Sequence, residues 1–99
     1  MPAYIVVQID VADPARYEDY KAMAPPSIAK FGGKYIVRGG EVQVLEGSWE
    51  PRRFVVLEFP DADRARAWWN SEEYADAKSL RQRCATSEMI LVQGVTGSP

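Results

Sequence analysis

Residues 52–95 read RRFVVLEFPDADRARAWWNSEEYADAKSLRQRCATSEMILVQGV, and the reading of this stretch decides the fold. It opens on the clearest strand-like run of the chain, Arg52 to Phe59 (RRFVVLEF), rich in the β-branched and aromatic residues that suit a pleated surface. Pro60-Asp61 stops that run and supplies a helix cap, after which Ala62, Ala65, Trp68 and Trp69 recur at helical spacing. Asn70-Ser71 breaks this helix and caps a second piece, with Glu72 and Glu73 in the first turn, where negative charge suits the helix dipole. Tyr74, Ala77, Leu80 or Arg81, and Cys84 carry the apolar face onward, and Ser87 to Val95 (SEMILVQGV) reads as a last strand. The stretch is therefore strand, broken helix, strand.

Toward the N-terminus the same pattern recurs. Ala3 to Val11 (AYIVVQIDV) is a strand, and Asp13-Pro14 gives an N-cap followed by a proline at the first helical position. Tyr17, Tyr20, Ala24, Ile28 and Phe31 then lie on one helical face, which Gly32-Gly33 ends. Pro25-Pro26 removes amide donors and crowds the preceding turn, so a kink or a break into two short helices is expected near Ala24. Lys34 to Arg38 (KYIVR) is a strand and Glu41 to Leu45 (EVQVL) alternates polar and apolar. Gly39-Gly40 between them is either a tight turn or a bulge that bends one long strand, and the bend is preferred. Residues 46–51 form a loop. The order β-α-β-β-α-β defines an α+β protein of the ferredoxin-like type, a four-stranded antiparallel sheet with its helices on one face. One domain spans residues 1–95, and Thr96 to Pro99 is read as a polar, mobile tail.

Composition narrows the chemistry. Histidine is absent from the 99 residues. No Ser-His-Asp or Cys-His nucleophile pair can form, and zinc, copper and His-ligated iron lose their usual ligands. No metal site and no cofactor is expected, and any catalysis must rest on carboxylates, arginines, tyrosines, a borrowed cofactor or the substrate's own reactivity. Net charge is −2, from 12 basic and 14 acidic residues interspersed along the chain. Without a basic block, nucleic acid is not an expected partner. The apolar runs are strand-length, far below the roughly 20 residues that span a bilayer, so no membrane role is expected. A single cysteine, Cys84, and an N-terminus without a signal-like segment point to the cytoplasm.

A sheet that meets water on one face should alternate cleanly, and these strands do not. Tyr4, Val6, Phe54, Val56, Ile90 and Val92 fall on the face that the helices leave bare. At ~25 cal/mol per Å² of apolar surface, hiding six such side chains contributes on the order of several kcal/mol. A second copy packed sheet against sheet, closing a two-subunit α+β barrel, is the expected solution.

YIVRGG at 35–40, LEGSWEP at 45–51, VVLEFP at 55–60 and the run from Ala67-Trp68 through Ser71-Glu72-Glu73-Tyr74 to Arg83 resemble the domain-of-unknown-function 1330 family. The resemblance covers residues 3–95 and implies a dimeric ferredoxin-like α+β barrel. The wider group with that architecture includes cofactor-independent monooxygenases, muconolactone isomerases and stress-response proteins. It implies no established activity and no agreed catalytic residue.

Candidate site residues follow from position and chemistry. Arg38 ends a strand before two glycines, where a guanidinium can grip a carboxylate or steady oxyanion charge; its structural alternative is an ion pair with Glu58 or Glu46. Glu58, on the mixed face, is a candidate general acid or base, or else one half of an interface salt bridge. Tyr17, Tyr20, Trp68, Trp69 and Tyr74 can line a pocket for an aromatic substrate or simply fill the core. Trp49 is placed to close over a partner subunit or a pocket mouth, Gln8 to hydrogen-bond within the sheet, and Cys84 to be a buried, inert thiol. Arg81 and Arg83 are read as solvated, with Arg83 near a helix C-terminus. The expectation is a homodimer that binds a small molecule or is structural. The alternative is a cofactor-independent enzyme of the monooxygenase or isomerase kind, acting on a small aromatic or lactone-like substrate through Arg38 and Glu58.

Overall fold

The computed structural model describes residues 1–95; the tail expected at 96–99 lies outside the described residues. The elements are β1 (Ala3–Val11), α1 (Pro14–Lys30), β2 (Lys34–Arg38), β3 (Arg53–Phe59), α2 (Ala62–Trp69), α3 (Glu72–Cys84) and β4 (Ala85–Gln93). The sheet order is β2-β3-β1-β4 with every pairing antiparallel, the ferredoxin-like arrangement. Ala3, Ile5, Val7, Ile9, Val55, Leu57 and Phe59 turn inward beneath the helices and are buried. The molecule measures only 16 Å along its thinnest axis, one sheet and one layer of helices.

Side-chain oxygens start the helices as expected. Asp13 accepts from the Arg16 amide at 3.2 Å, Asp61 from the Arg64 amide at 2.7 Å, and Ser71 from the Tyr74 amide at 3.2 Å. Gly32, at φ +79°, closes α1: its amide donates to Ala29 O and the Gly33 amide to Ile28 O, the paired bonds of a Schellman cap. Asn70 and Ser71 separate α2 from α3, and α3 runs into β4 at Ala85 without a loop.

Two expectations are corrected. Of the kink or break expected near Ala24, the break into two helices does not occur, and α1 is one run of helix through Pro25 and Pro26. The amide missing at Pro25 would have served Lys21 O, and the Arg38 guanidinium donates there instead at 3.2 Å. The amide missing at Pro26 would have served Ala22 O, on an exposed residue that water reaches. The second failure concerns Glu41 to Leu45, which form no strand. The Gly39 amide takes Phe54 O at 2.9 Å, the last bond on that edge, and beyond it no β3 residue is left for the segment to pair with. The bulge sits earlier than Gly39-Gly40, between Tyr35 and Val37, with Ile36 the extra residue.

Gly33 lies against the Phe59 ring, and a Cβ there would come within 2.6 Å of that ring and 2.8 Å of Ile28. Gly33→Ala is expected to destabilise by about 1–3 kcal/mol through overpacking. Gly40, with open space around it, should tolerate alanine without loss. Urea denaturation of the two variants, with equal slopes, checks the difference.

Candidate functional site

The bulge at Ile36 sets the site. Tyr35 lies opposite Leu57 and Arg38 opposite Val55, so both reach the inner, helix-covered face, whereas Lys34 and Val37 pair with Glu58 and Val56 on the outer one. Without the extra residue Arg38 would share the outer face with Glu58. Instead Arg38 lies over the Tyr35 ring, 4.3 Å from its centroid, at the mouth of a cleft between α1 and the β2-β3 edge. Arg53, inward by the alternation of β3, donates from Nε to the Tyr17 hydroxyl at 3.0 Å. Gly39 (φ +70°) is needed beside it, because a Cβ would run into the Arg53 guanidinium.

Behind the mouth the aromatic rings form a continuous series. Tyr17 and Tyr20 are 5.4 Å apart, Tyr20 meets Tyr74 edge-on at 6.4 Å, Tyr74 packs on Trp68 at 4.0 Å, and Trp68 reaches Phe59 at 5.6 Å. Their polar atoms are satisfied internally. The Tyr20 and Tyr74 hydroxyls share a 2.9 Å hydrogen bond, Arg81 Nε donates to Tyr74 at 3.3 Å, and Trp68 Nε1 donates to Ser27 Oγ at 3.1 Å. Ser27 in turn donates to Ala24 O at 2.7 Å. The cleft is lined by Tyr17, Tyr20, Lys21, Tyr35, Arg38 and Arg53 over a floor of Val7, Val55, Leu57 and Trp68, with no Asp or Glu among its lining residues. Its free volume, about 20 Å³, holds about one water molecule with Arg38 folded over Tyr35.

Burial pushes the Tyr17 hydroxyl above the ordinary tyrosine value against the pull of Arg53, and the Tyr35 hydroxyl likewise against Arg38. Tyr20 is raised furthest, by burial and then by the neighbouring Tyr74 hydroxyl.

The sequence-derived candidates are thus divided by the sheet. Arg38, Tyr17, Tyr20 and Trp68 surround one cleft, and Tyr74 backs it from behind Tyr20 and Trp68. Glu58 stands on the opposite face, where it accepts from Lys34 Nζ at 3.2 Å and the Tyr4 hydroxyl at 3.3 Å. The ion pair anticipated between Arg38 and Glu58 or Glu46 does not form. Trp49 lies on the outer face, donating to Gln8 Oε1 at 2.5 Å and meeting Phe54 edge-on at 6.0 Å. Cys84 is buried, and burial with Asp13 nearby pushes its thiol up. Trp69 is half-buried beneath Lys78 Nζ. Arg83 donates to Ser79 O at 3.3 Å near the end of α3. Arg81 is not solvated as read from the sequence; it is 3% exposed. Its place was legible, since Tyr74, Ala77, Arg81 and Cys84 follow one another at helical spacing. Arg53 was legible from β-alternation with Val55 and Leu57; the inward turn of Arg38 was not, because a bulge leaves no residue-type signature at Ile36. Among the described residues no group of three or more Cys, Asp and Glu is placed to hold a metal ion. No helix among them is long and apolar enough to cross a membrane.

A four-stranded antiparallel sheet under three helices, with an arginine-lipped aromatic cleft, defines a ferredoxin-like α+β protein, and solved structures bear out the class. A protein of unknown function from Rhodopseudomonas palustris superposes with a TM-score of 0.77 at 17% identity, over 96% of this chain and 83% of that one. A dimeric ferredoxin-like protein of unknown function from Jannaschia sp. gives 0.71 at 11% identity, over 95% and 100%. SnoaB, a cofactor-independent oxygenase from Streptomyces nogalater, gives 0.62 at 19% identity, over 99% and 97%. At these identities the likeness is one of fold. No curated protein matches the chain. The chain belongs to the family described as domain of unknown function (DUF1330), whose model matches residues 2–95.

The raised tyrosine values fix the sign of an alkaline response. As pH passes roughly 10 the unfolded chain ionises its tyrosines, while in the folded one burial makes Tyr17, Tyr20 and Tyr35 hold their protons to higher pH. The native state then binds more protons than the unfolded state, so stability falls as pH rises. Thermal melts are expected to be flat between about pH 6 and pH 9 and to drop above about pH 10, with a shallower drop in Tyr20→Phe.

Proposed function

We propose that this chain is a small-molecule-binding protein working as a homodimer, and that its ligand is a small aromatic or lactone-like anion. The observation that carries the binding reading is the cleft under α1. Two guanidiniums lie on or beside tyrosine rings at its mouth with no lining carboxylate to neutralise them, while Lys21, also in the lining, is paired with Glu18 at 3.1 Å. Such a mouth favours a planar anion, which a guanidinium can grip in bidentate fashion while aromatic rings cover its faces. The ligand takes the place of the Arg38 guanidinium over Tyr35, and Arg38 swings outward, where it is already exposed.

The dimer reading rests on the outer face of the sheet. Val37, Val56, Val6 and Ile90 stand side by side across all four strands. Ile90 is 59% and Val92 41% exposed, and the segment after β2 adds exposed Val42, Val44, Leu45 and Trp49. A second copy laid on this face removes that surface from water. The dimeric relative of the same fold supports the pairing.

Binding is preferred to catalysis because the named proton carrier is on the wrong side. An oxygenating or isomerising site would use Arg38 against oxyanion charge, but Glu58 faces away from the cleft in the same protomer, bound to Lys34 and Tyr4. No other carboxylate lines the cleft.

A thermal-shift comparison of benzoate and salicylate with neutral benzamide tests the ligand class. The anions are expected to raise the melting temperature, and Arg38→Gln is expected to weaken their binding at least tenfold by removing a charge-assisted hydrogen bond. Equal responses to benzamide would defeat the reading. Sedimentation at micromolar concentration tests the pairing: the native chain should run as a dimer and Ile90→Lys with Val92→Lys as a monomer. A native monomer would end the dimer proposal.

A further inference from the structure

A second polar pocket lies on the far side of the aromatic series, between the end of α3 and the inner face of β4. Arg81, 97% removed from solvent, lines it. A guanidinium carries five N–H donors. Here the hydrogen bond to Tyr74 uses Nε alone, and among the described residues Arg81 has no carboxylate within 4.0 Å. A buried positive charge without a counter-ion is costly, and an anion beside it relieves the cost. The same pocket holds the Ser87 hydroxyl, the one buried side-chain polar atom without a hydrogen-bond partner among the described residues. Trp69, whose ring centroid is 6.0 Å from the Arg81 guanidinium, and Met89 form its apolar walls.

The pocket has about 410 Å³ of free volume. Trp69 and Met89 also wall an adjoining cleft of about 290 Å³, whose remaining lining is Ile5, Ala65, Arg66 and Leu91. Neither space has an acidic residue in its lining. A charged, donor-rich end thus continues into a mostly apolar one, whose Arg66 is already paired with Asp63. We infer that this groove binds a carboxylate carrying an aliphatic tail, its head on Arg81 and Ser87 and its chain along Trp69, Met89 and Leu91. The inference does not rest on the cleft under α1, with which this groove shares only Met89.

Octanoate is the probe, with 1-octanol and inorganic phosphate as comparators, followed by amide and indole NMR of the full chain. Octanoate is expected to bind and to move the Trp69 indole, Ser87 and Leu91 signals while leaving those of Tyr17 and Arg38 in place. Octanol, lacking the charge, and phosphate, lacking the tail, are each expected to bind at least tenfold more weakly. Ser87→Ala removes an unpartnered hydroxyl, so the fold is retained and octanoate affinity should fall about tenfold, the effect of one hydrogen bond to a charged group. Arg81→Met should abolish binding in whatever fraction folds. Equal binding of octanol, shifts confined to the α1 cleft, an unaltered affinity in Ser87→Ala, or no binding at all would each overturn the proposal.

Discussion

Strand parity governs what this sheet presents on either side. With a period of two, each residue is committed to the helices or away from them, and neighbouring strands must agree. β1 and β3 keep strict alternation, so Ile5, Val7 and Ile9 meet Leu57, Val55 and Arg53 on the inner side. β2 breaks it once, at Ile36. That slip separates Lys34, which reaches Glu58 on the outer face, from Arg38, which reaches Tyr35 and Lys21 on the inner one. A charge that simple alternation would have left on the bare face becomes part of the helix-covered side.

The inner side is more than an apolar filling. Trp68 and Tyr74, both fully buried, anchor a layer of rings whose polar groups are partnered: the Tyr20 and Tyr74 hydroxyls with each other, the Trp68 indole with Ser27 and the Tyr17 hydroxyl with Arg53. Buried polar groups of this kind hold a unique arrangement only when each is satisfied. Three arginines approach the layer from two sides: Arg38 and Arg53 at the β2-β3 edge and Arg81 from α3. None of the three forms an ion pair among the described residues. Positive groups held against aromatic rings without carboxylate partners leave local positive charge in the interior of this histidine-free domain.

The element order, the helix caps at Asp13, Asp61 and Ser71, and the break at Asn70 were legible because each follows from local chemistry: a side-chain oxygen, a proline, a change of period. The clustering of Tyr17, Tyr20 and Trp68 was legible from helical spacing together with the sheet order. What escaped was non-local. The Ile36 bulge depends on how β2 meets β3, so Arg38 was assigned to the company of Glu58. The donor that reaches Lys21 O in place of the Pro25 amide arrives from another element. Residues 41–45 carry a strand-like pattern but find no edge to join within the protomer, and pattern without a partner makes no ladder.

The substitution of the Arg38 guanidinium for the amide missing at Pro25 has a consequence for how the chain folds. A proline inside a helix costs about 3 kcal/mol, and an isolated helix of this length is marginal even without one. Residues 14–30 cut out as a peptide therefore have little reason to coil. The middle of α1 gains this outside donor once β2 is docked on β3 and presents Arg38 to Lys21. Local and long-range order are thereby linked at Pro25, in addition to their coupling through the core.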